Sequence, residues 1–163
     1  MKMKCISLWQ PWASLIAYEK KLVETRSWAT SYRGPIAIHA AKRWTREEQE
    51  ICKTEPFKTA LRGITLPFGA IIATATLADC LPMGGSKGEV AFFYDWVKNL
   101  SDTESDFGFY DYDRFGWIFE NVQRLPEPIP YKGAQGLFEV YDNLFGIPMK
   151  EREADGQCVL KGG

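Results

Sequence analysis

Ala70-Ile71-Ile72-Ala73-Thr74-Ala75-Thr76-Leu77-Ala78 is an uncharged, β-branched run preceded by the chain breakers Pro67 and Gly69. Branched side chains pack well on a pleated surface, so the run predicts a central strand over 70–78. Shorter stretches on either side read as its companions. Cys5-Ile6-Ser7-Leu8-Trp9 reads as one strand, and residues 35–40 (PIAIHA), after the turn at Arg33-Gly34, as another. Residues 22–28 (LVETRSW) alternate. Alternation puts Leu22, Glu24, Arg26 and Trp28 on one face and Val23, Thr25 and Ser27 on the other. Residues 116–122 and 136–140 complete the set. Pro126, Pro128 and Pro130 make the connection between those two stiff and extended.

Helices are few. Pro11 suits the first turn of a helix, and Trp12, Leu15 and Ile16 recur at helical spacing, which predicts a helix over 11–20. Thr45-x-x-Glu48 is a capping box that starts a charged helix near residue 46, and a second short helix fits 56–62. Residues 89–99 (EVAFFYDWVKN) are expected to be helical. Residues 82–88 are expected to form a loop, and 101–114 (SDTESDFGFYDYDR) an acidic, aromatic surface loop. The polar tail from Glu151 is expected to fray. Many short strands with a few flanking helices give an α+β class built on a small, partly closed β-barrel. The 163 residues fit one domain, with a core over about 4–140 and a C-terminal extension over 141–163. A chain of that length buries a sufficient core without disulfides or metal.

Composition narrows the function classes. Hydrophobic residues make up 45% and charged residues 25%, ordinary for a folded domain. The net charge of −1 excludes a strong nonspecific binder of nucleic acid, which would be basic overall. The charge is unevenly spread: residues 1–62 balance to +6 and residues 63–163 to −7. A basic first half can present a positive face to phosphates. No apolar run reaches the ~20 residues that span a bilayer, and the N-terminus has no apolar stretch of secretory length, so a cytoplasmic protein without membrane partners is expected. Cys5, Cys52, Cys80 and Cys158 form no CxxC pair, and His39 is the single histidine. Reduced thiols and no metal or cofactor are therefore expected.

Four groups of residues carry candidate chemistry. Trp9-Gln10-Pro11-Trp12 sets two indoles beside an amide; indoles stack on bases, and glutamine bonds a base edge as donor and acceptor. Core packing is the alternative for both tryptophans. Glu24, Arg26 and Trp28, with Lys21, would present a carboxylate, a guanidinium and an indole to a planar polar ligand; an exposed ion pair is the alternative. His39 and Lys42 follow Arg33-Gly34-Pro35, although a lone histidine is more often a hydrogen-bonded structural residue. Gly116-Trp117 and the run Tyr131-Lys132-Gly133-Ala134-Gln135-Gly136 allow close backbone approach, with Gln135 a further ligand contact. Gly84-Gly85-Ser86-Lys87-Gly88 lacks the spacing of a phosphate loop.

In this order, these segments resemble the ASCH domain family. The resemblance runs from Ile6-Ser7-Leu8-Trp9-Gln10-Pro11-Trp12-Ala13 through Lys21–Trp28 and Tyr32–Lys42. It ends with Gly69–Ala73, Gly116-Trp117 and Pro128–Leu137, and residues 89–115 match least. It implies a PUA-like β-barrel and a cleft whose floor carries Lys21, Glu24 and Arg26. Relatives include RNA-binding and coactivator-like modules. One bacterial branch is similar to an amidohydrolase that removes acetyl from N4-acetylcytidine, with the motif K-x-x-T-x-R and a distant assisting glutamate. Here Lys21 and Arg26 match, Glu24 stands at the threonine position, and Glu89 and Glu120 are candidates for the distant carboxylate. Thr25 is expected on the opposite strand face.

Three functions follow as expectations. The first is a module binding RNA or a modified nucleotide through Trp9, Gln10, Arg26, Trp28, His39, Lys42 and Gln135. The second is an amidohydrolase on an acylated cytidine, with Lys21 and Glu24 as the working pair. The third is a protein-interaction domain using residues 101–114. The oligomeric state stays open.

Overall fold

The computed structural model describes residues 1–146. The chain runs β1 (Lys2–Leu8), α1 (Trp12–Ala17), β2 (Val23–Arg26), β3 (Gly34–Ala40), α2 (Arg46–Ile51), α3 (Phe57–Ala60) and β4 (Ala70–Pro82). It continues through β5 (Gly84–Lys87), β6 (Val90–Phe93), α4 (Asp95–Lys98), α5 (Asp102–Phe107), β7 (Phe115–Pro130), β8 (Leu137–Tyr141) and a 3₁₀ turn (Asp142–Phe145). Cys158 and the polar tail lie outside the described residues.

Six strands form one mixed sheet in the order β2-β7-β4-β3-β1-β8, with β1 and β3 parallel and the other neighbours antiparallel. β4 is interior, as its composition requires, and the class is α+β. The sheet is not closed into a barrel, which corrects that expectation. β2 and β8 remain its edges, and the outer backbone groups of β2 are occupied by the segment that follows α4 rather than by a strand.

β7 is far longer than the 116–122 strand expected, and it takes in the three prolines. The register along β4 and β7 shows how. Ile71 faces Ile129 but Ala73 faces Arg124, so residues between 124 and 129 bulge out of the ladder. Pro126 and Pro128, which have no N–H to donate, sit in that bulge. A second bulge holds Asn121 at φ 50°, the left-handed region asparagine tolerates.

The strand alternation sorts the core. Ile6, Leu8, Ile36 and Ile38 lie on one sheet face, where α1 adds Ala13, Ile16 and Ala17. Cys5, Ala37, Ile71 and Val140 form a smaller cluster of their own, with Phe138 and Tyr131 packed against it. Burial pushes the Cys5 thiol up to about 12, so it stays protonated and inert. The thiols of Cys5, Cys52 and Cys80 are free.

Three further segments differ from their sequence reading, the first being 82–88, expected as a loop, where Gly84–Lys87 form β5. Residues 89–99 are not a helix: β6 pairs with β5 as a hairpin, and only Asp95–Lys98 is helical. The Ala91-Phe92-Phe93-Tyr94 run prefers a strand, and Gly84 supplies the close approach. A Cβ there would lie 2.0 Å from the Phe92 carbonyl oxygen. Residues 101–114 are not simply a loop, because they contain α5. Its N-cap is Ser101, whose hydroxyl accepts from the Glu104 backbone N–H at 3.2 Å.

The Thr45–Glu48 capping box forms as its spacing predicts. The Glu48 side chain is only 3% exposed. Burial alone would raise its pKa, but hydrogen bonds from the Thr45 hydroxyl, Arg43 and the Thr45 backbone outweigh burial and pull it down to about 2. A carboxyl depressed on folding contributes stability that is complete above its unfolded value and lost as pH falls through the folded one. Wild type and Glu48→Gln are therefore expected to differ in melting temperature at pH 6 and to converge between pH 4.5 and about 2. Parallel thermal scans across that range check this.

Candidate functional site

A cleft of about 240 Å³ opens beside β2. Its walls come from three places: Trp9 and Trp12 around the start of α1, Lys21 and Glu24–Arg26 on β2, and Gly108, Phe109 and Arg114 from the segment after α5. β2 is an edge strand, and an edge exposes unpaired N–H and C=O groups. The 104–114 segment satisfies them. Glu104 accepts from the Leu22 and Val23 backbone N–H groups at 2.8 and 3.2 Å, and Arg114 Nη2 donates to the Thr25 carbonyl at 2.8 Å.

The same carboxylate holds Lys21. Lys21 is 1% exposed, and its Nζ lies 3.0 Å from Glu104 Oε1 and 3.3 Å from the Tyr110 hydroxyl. Tyr110 donates to Glu104 at 3.0 Å. Burial, then the Glu104 charge, pushes the Tyr110 phenol well above its ordinary value, so it remains a donor at every working pH. Lys21 is thus a fixed ammonium, neutralised within its own network, and the carboxylate beside it is Glu104. Glu89 is exposed in the β5–β6 turn and Glu120 is exposed on β7, so neither meets Lys21.

The remaining charges of the cleft are Glu24, Arg26 and Arg114. Burial pushes the Glu24 carboxyl up, against the pull of Arg26, Lys21 and Arg114, while Glu104 adds to the rise. Arg26 Nε lies 3.2 Å from Glu24 Oε1. That is charge contact rather than a hydrogen bond, since Arg26 Nε has no hydrogen-bond partner although buried. Arg114 Nε is buried and unpartnered in the same way. Thr25 also reaches the cleft wall, because Arg114 crosses the outer side of β2 and brings its Nη2 to 3.4 Å from Thr25 Oγ1.

Trp9 stands at the mouth, 50% exposed, with the Arg43 guanidinium 4.0 Å from its ring centroid. Trp12 lines the interior, and its Nε1 donates to the Phe107 carbonyl at 2.6 Å. The other sequence candidates lie elsewhere. Gln10 is fully buried: it accepts from the Ser14 N–H and donates to Ser14 Oγ and the Pro67 carbonyl, tying α1 to the chain before β4. Trp28 follows the end of β2 and packs edge-on against Trp117 at 4.6 Å, its carbonyl accepting from Trp117 Nε1.

His39 is buried beside β1. A carbonyl can only accept, so His39 Nε2 carries the proton to the Tyr131 carbonyl at 3.0 Å, and the Ser7 hydroxyl donates to Nδ1 at 2.8 Å. Burial lowers its pKa against that backbone bond, which keeps the ring neutral. Lys42 is exposed and lies across Gly69, where a Cβ would come within 2.6 Å of the lysine chain at φ +62°. Gln135 is exposed in the turn before β8. Among the described residues no group of three His, Cys, Asp or Glu side chains is placed to hold a metal.

Sequence reading missed Glu104, Phe109, Tyr110 and Arg114. One signal was present: Ser101-x-x-Glu104 is the same helix-start spacing as Thr45-x-x-Glu48. The contact of Glu104 with Lys21, 83 residues away, had none.

Sheet, edge-strand cleft and covering segment together define an α+β domain built on an open six-stranded mixed sheet. The chain belongs to the ASCH domain family, whose profile matches residues 6–129. Activating signal cointegrator 1 of Mus musculus is 31% identical over 142 residues, covering 83% of this chain and 22% of that protein. The Homo sapiens protein of the same name is 30% identical over 142 residues. The chain thus spans about a fifth of the length of these curated relatives. Among solved structures, ASCH from Zymomonas mobilis is similar at a TM-score of 0.48 and 19% identity, covering 86% of this chain and 89% of that one. No helix among the described residues is long and apolar enough to cross a membrane.

Proposed function

We propose that the β2 cleft binds one nucleotide unit, as a free nucleotide or as an unstacked residue of single-stranded RNA. The observation that carries this reading is a small cleft of mixed charged and aromatic lining, with a half-exposed indole at its mouth and two guanidinium groups in its wall. A base stacks on Trp9, while Glu24 accepts from, or when protonated donates to, its polar edge. The membership of a family associated with RNA binding agrees with it. The net charge of −1 favours a short ligand over a long polyanion. Titration of tryptophan fluorescence with nucleotides and short single-stranded RNAs, at several salt concentrations, tests the reading. Trp9→Ala is expected to weaken binding by about tenfold, since one stacked base is worth ~1–3 kcal/mol. Equal affinity for the variant would remove the base from the cleft.

One observation favours a second reading, hydrolysis of an acylated cytidine. Burial raises the Glu24 carboxyl pKa and the carboxyl lines the same cleft as Lys21 and the Arg114 guanidinium, which suits a general base working on water beside a cationic oxyanion stabiliser, with Lys21 available only if it leaves Glu104. Turnover of N4-acetylcytidine that is lost in Glu24→Gln would establish it. Glu24→Gln is a better control than a Lys21 variant, because Lys21 also carries the fold.

A further inference from the structure

We infer that Arg26 and Arg114 form a phosphate subsite in the β2 cleft, built for a terminal phosphate monoester rather than a bridging diester. This rests on the nucleotide reading above and deepens it. Each guanidinium commits only Nη2 to a hydrogen bond: Arg26 to the Ser7 carbonyl at 2.5 Å and Arg114 to the Thr25 carbonyl at 2.8 Å, with Thr25 Oγ1 at 3.4 Å. Those bonds anchor both groups to backbone and leave Nε and Nη1 of each without one. Both Nε atoms are buried without a hydrogen bond, Arg26 Nε keeping only its charge contact with Glu24 at 3.2 Å, and they are the only buried side-chain polar atoms without a hydrogen bond among the described residues. A guanidinium with donors left over is costly to hold in a cleft wall, and the Nη1 group of each, which is not buried, is the donor a guest in the cleft can reach. That both orphans fall on residues lining one cleft points to a single anionic guest.

Charge sets the kind of anion. Lys21 and Glu104 neutralise each other at 3.0 Å, so they add no net field. Arg26 and Arg114 contribute two positive charges, opposed only by Glu24, whose carboxyl is driven toward its neutral form by burial. A phosphate monoester carries ~1.5–2 negative charges near neutral pH and offers three acceptor oxygens to a guanidinium pair. A diester carries one charge and two free oxygens, so it leaves the pair partly unmatched.

Calorimetric titration of the full chain at low salt tests this, with nucleosides, their 5′-monophosphates, dinucleoside monophosphates and inorganic phosphate as probes. The 5′-monophosphates are expected to bind about tenfold or more tighter than the nucleosides, and than the dinucleoside diesters. Inorganic phosphate is expected to compete with them. In Arg114→Gln the ratio of monophosphate to nucleoside affinity is expected to fall to about one. Arg33→Gln, outside the cleft in a pair with Asp79, keeps the ratio and controls for general loss of charge. Circular dichroism establishes that both variants fold. Equal affinity for nucleoside and monophosphate overturns the subsite and leaves base binding standing. Phosphate binding that depends on Arg114, without any nucleoside binding, upholds the subsite and overturns the base reading. No binding of any probe overturns both.

Discussion

Glu104→Ala is expected to lower the melting temperature by about 10 °C. Removing that carboxylate strips Lys21 of its counter-ion while its side chain is 1% exposed. Breaking a buried pair from one side costs ~3–5 kcal/mol, and a chain of this size loses ~2–4 °C per kcal/mol. The backbone N–H groups of Leu22 and Val23 lose their acceptor as well. Lys21→Met is expected to cost less. Glu104 would keep both backbone donors and Tyr110, and its side chain retains 13% exposure to water. The double variant Lys21→Met/Glu104→Gln should recover part of the loss, because neither charge is then stranded. Scanning calorimetry on the three variants decides it. A Glu104→Ala protein melting within 2 °C of wild type would mean that the 101–114 segment does not depend on this carboxylate.

That carboxylate also marks the limit of what the sequence made legible. β4 was readable because a β-branched run over 70–78 has one good use, and β1 and β3 because each is a short apolar run bounded by a proline or glycine turn. The family resemblance implied a cleft floor of Lys21, Glu24 and Arg26, whereas strand periodicity alone put Glu24 and Arg26 on one face together with Trp28, which lies outside the cleft. The lid was not legible. Its residues are acidic and aromatic, a composition that serves solvent as well as a partner, and what binds them to β2 is contact across more than 80 residues. Barrel closure failed for a related reason. Whether an edge strand meets another strand or a covering segment is a tertiary outcome, and local pattern is silent on it. Gln10 and His39 carry the opposite lesson. Their chemistry suits a ligand, yet every donor they have goes to the protein itself.

Arg26→Ala is expected to remove ligand binding by about a hundredfold while the protein still folds. The two halves of that expectation have different causes. The Arg26 side chain is 27% exposed as a whole, although the Nε that faces Glu24 is buried. Losing its contacts with Glu24 and the Ser7 carbonyl costs ~1 kcal/mol, a shift of a few degrees in melting temperature. Glu24 adapts as well. Arg26 is the strongest group holding its carboxyl down, so without the guanidinium the carboxyl pKa rises further, and a buried site tolerates the neutral form. The ligand has no such escape. It loses the planar donor fork of Arg26, and with it the bidentate contact to its anionic group. Arg26→Lys separates charge from shape: an ammonium restores the positive charge but not the fork, and should recover only a minor part of the affinity. Full recovery by lysine would mean that the cleft reads charge alone. Unchanged affinity in a folded Arg26→Ala protein would move the binding site away from β2 altogether.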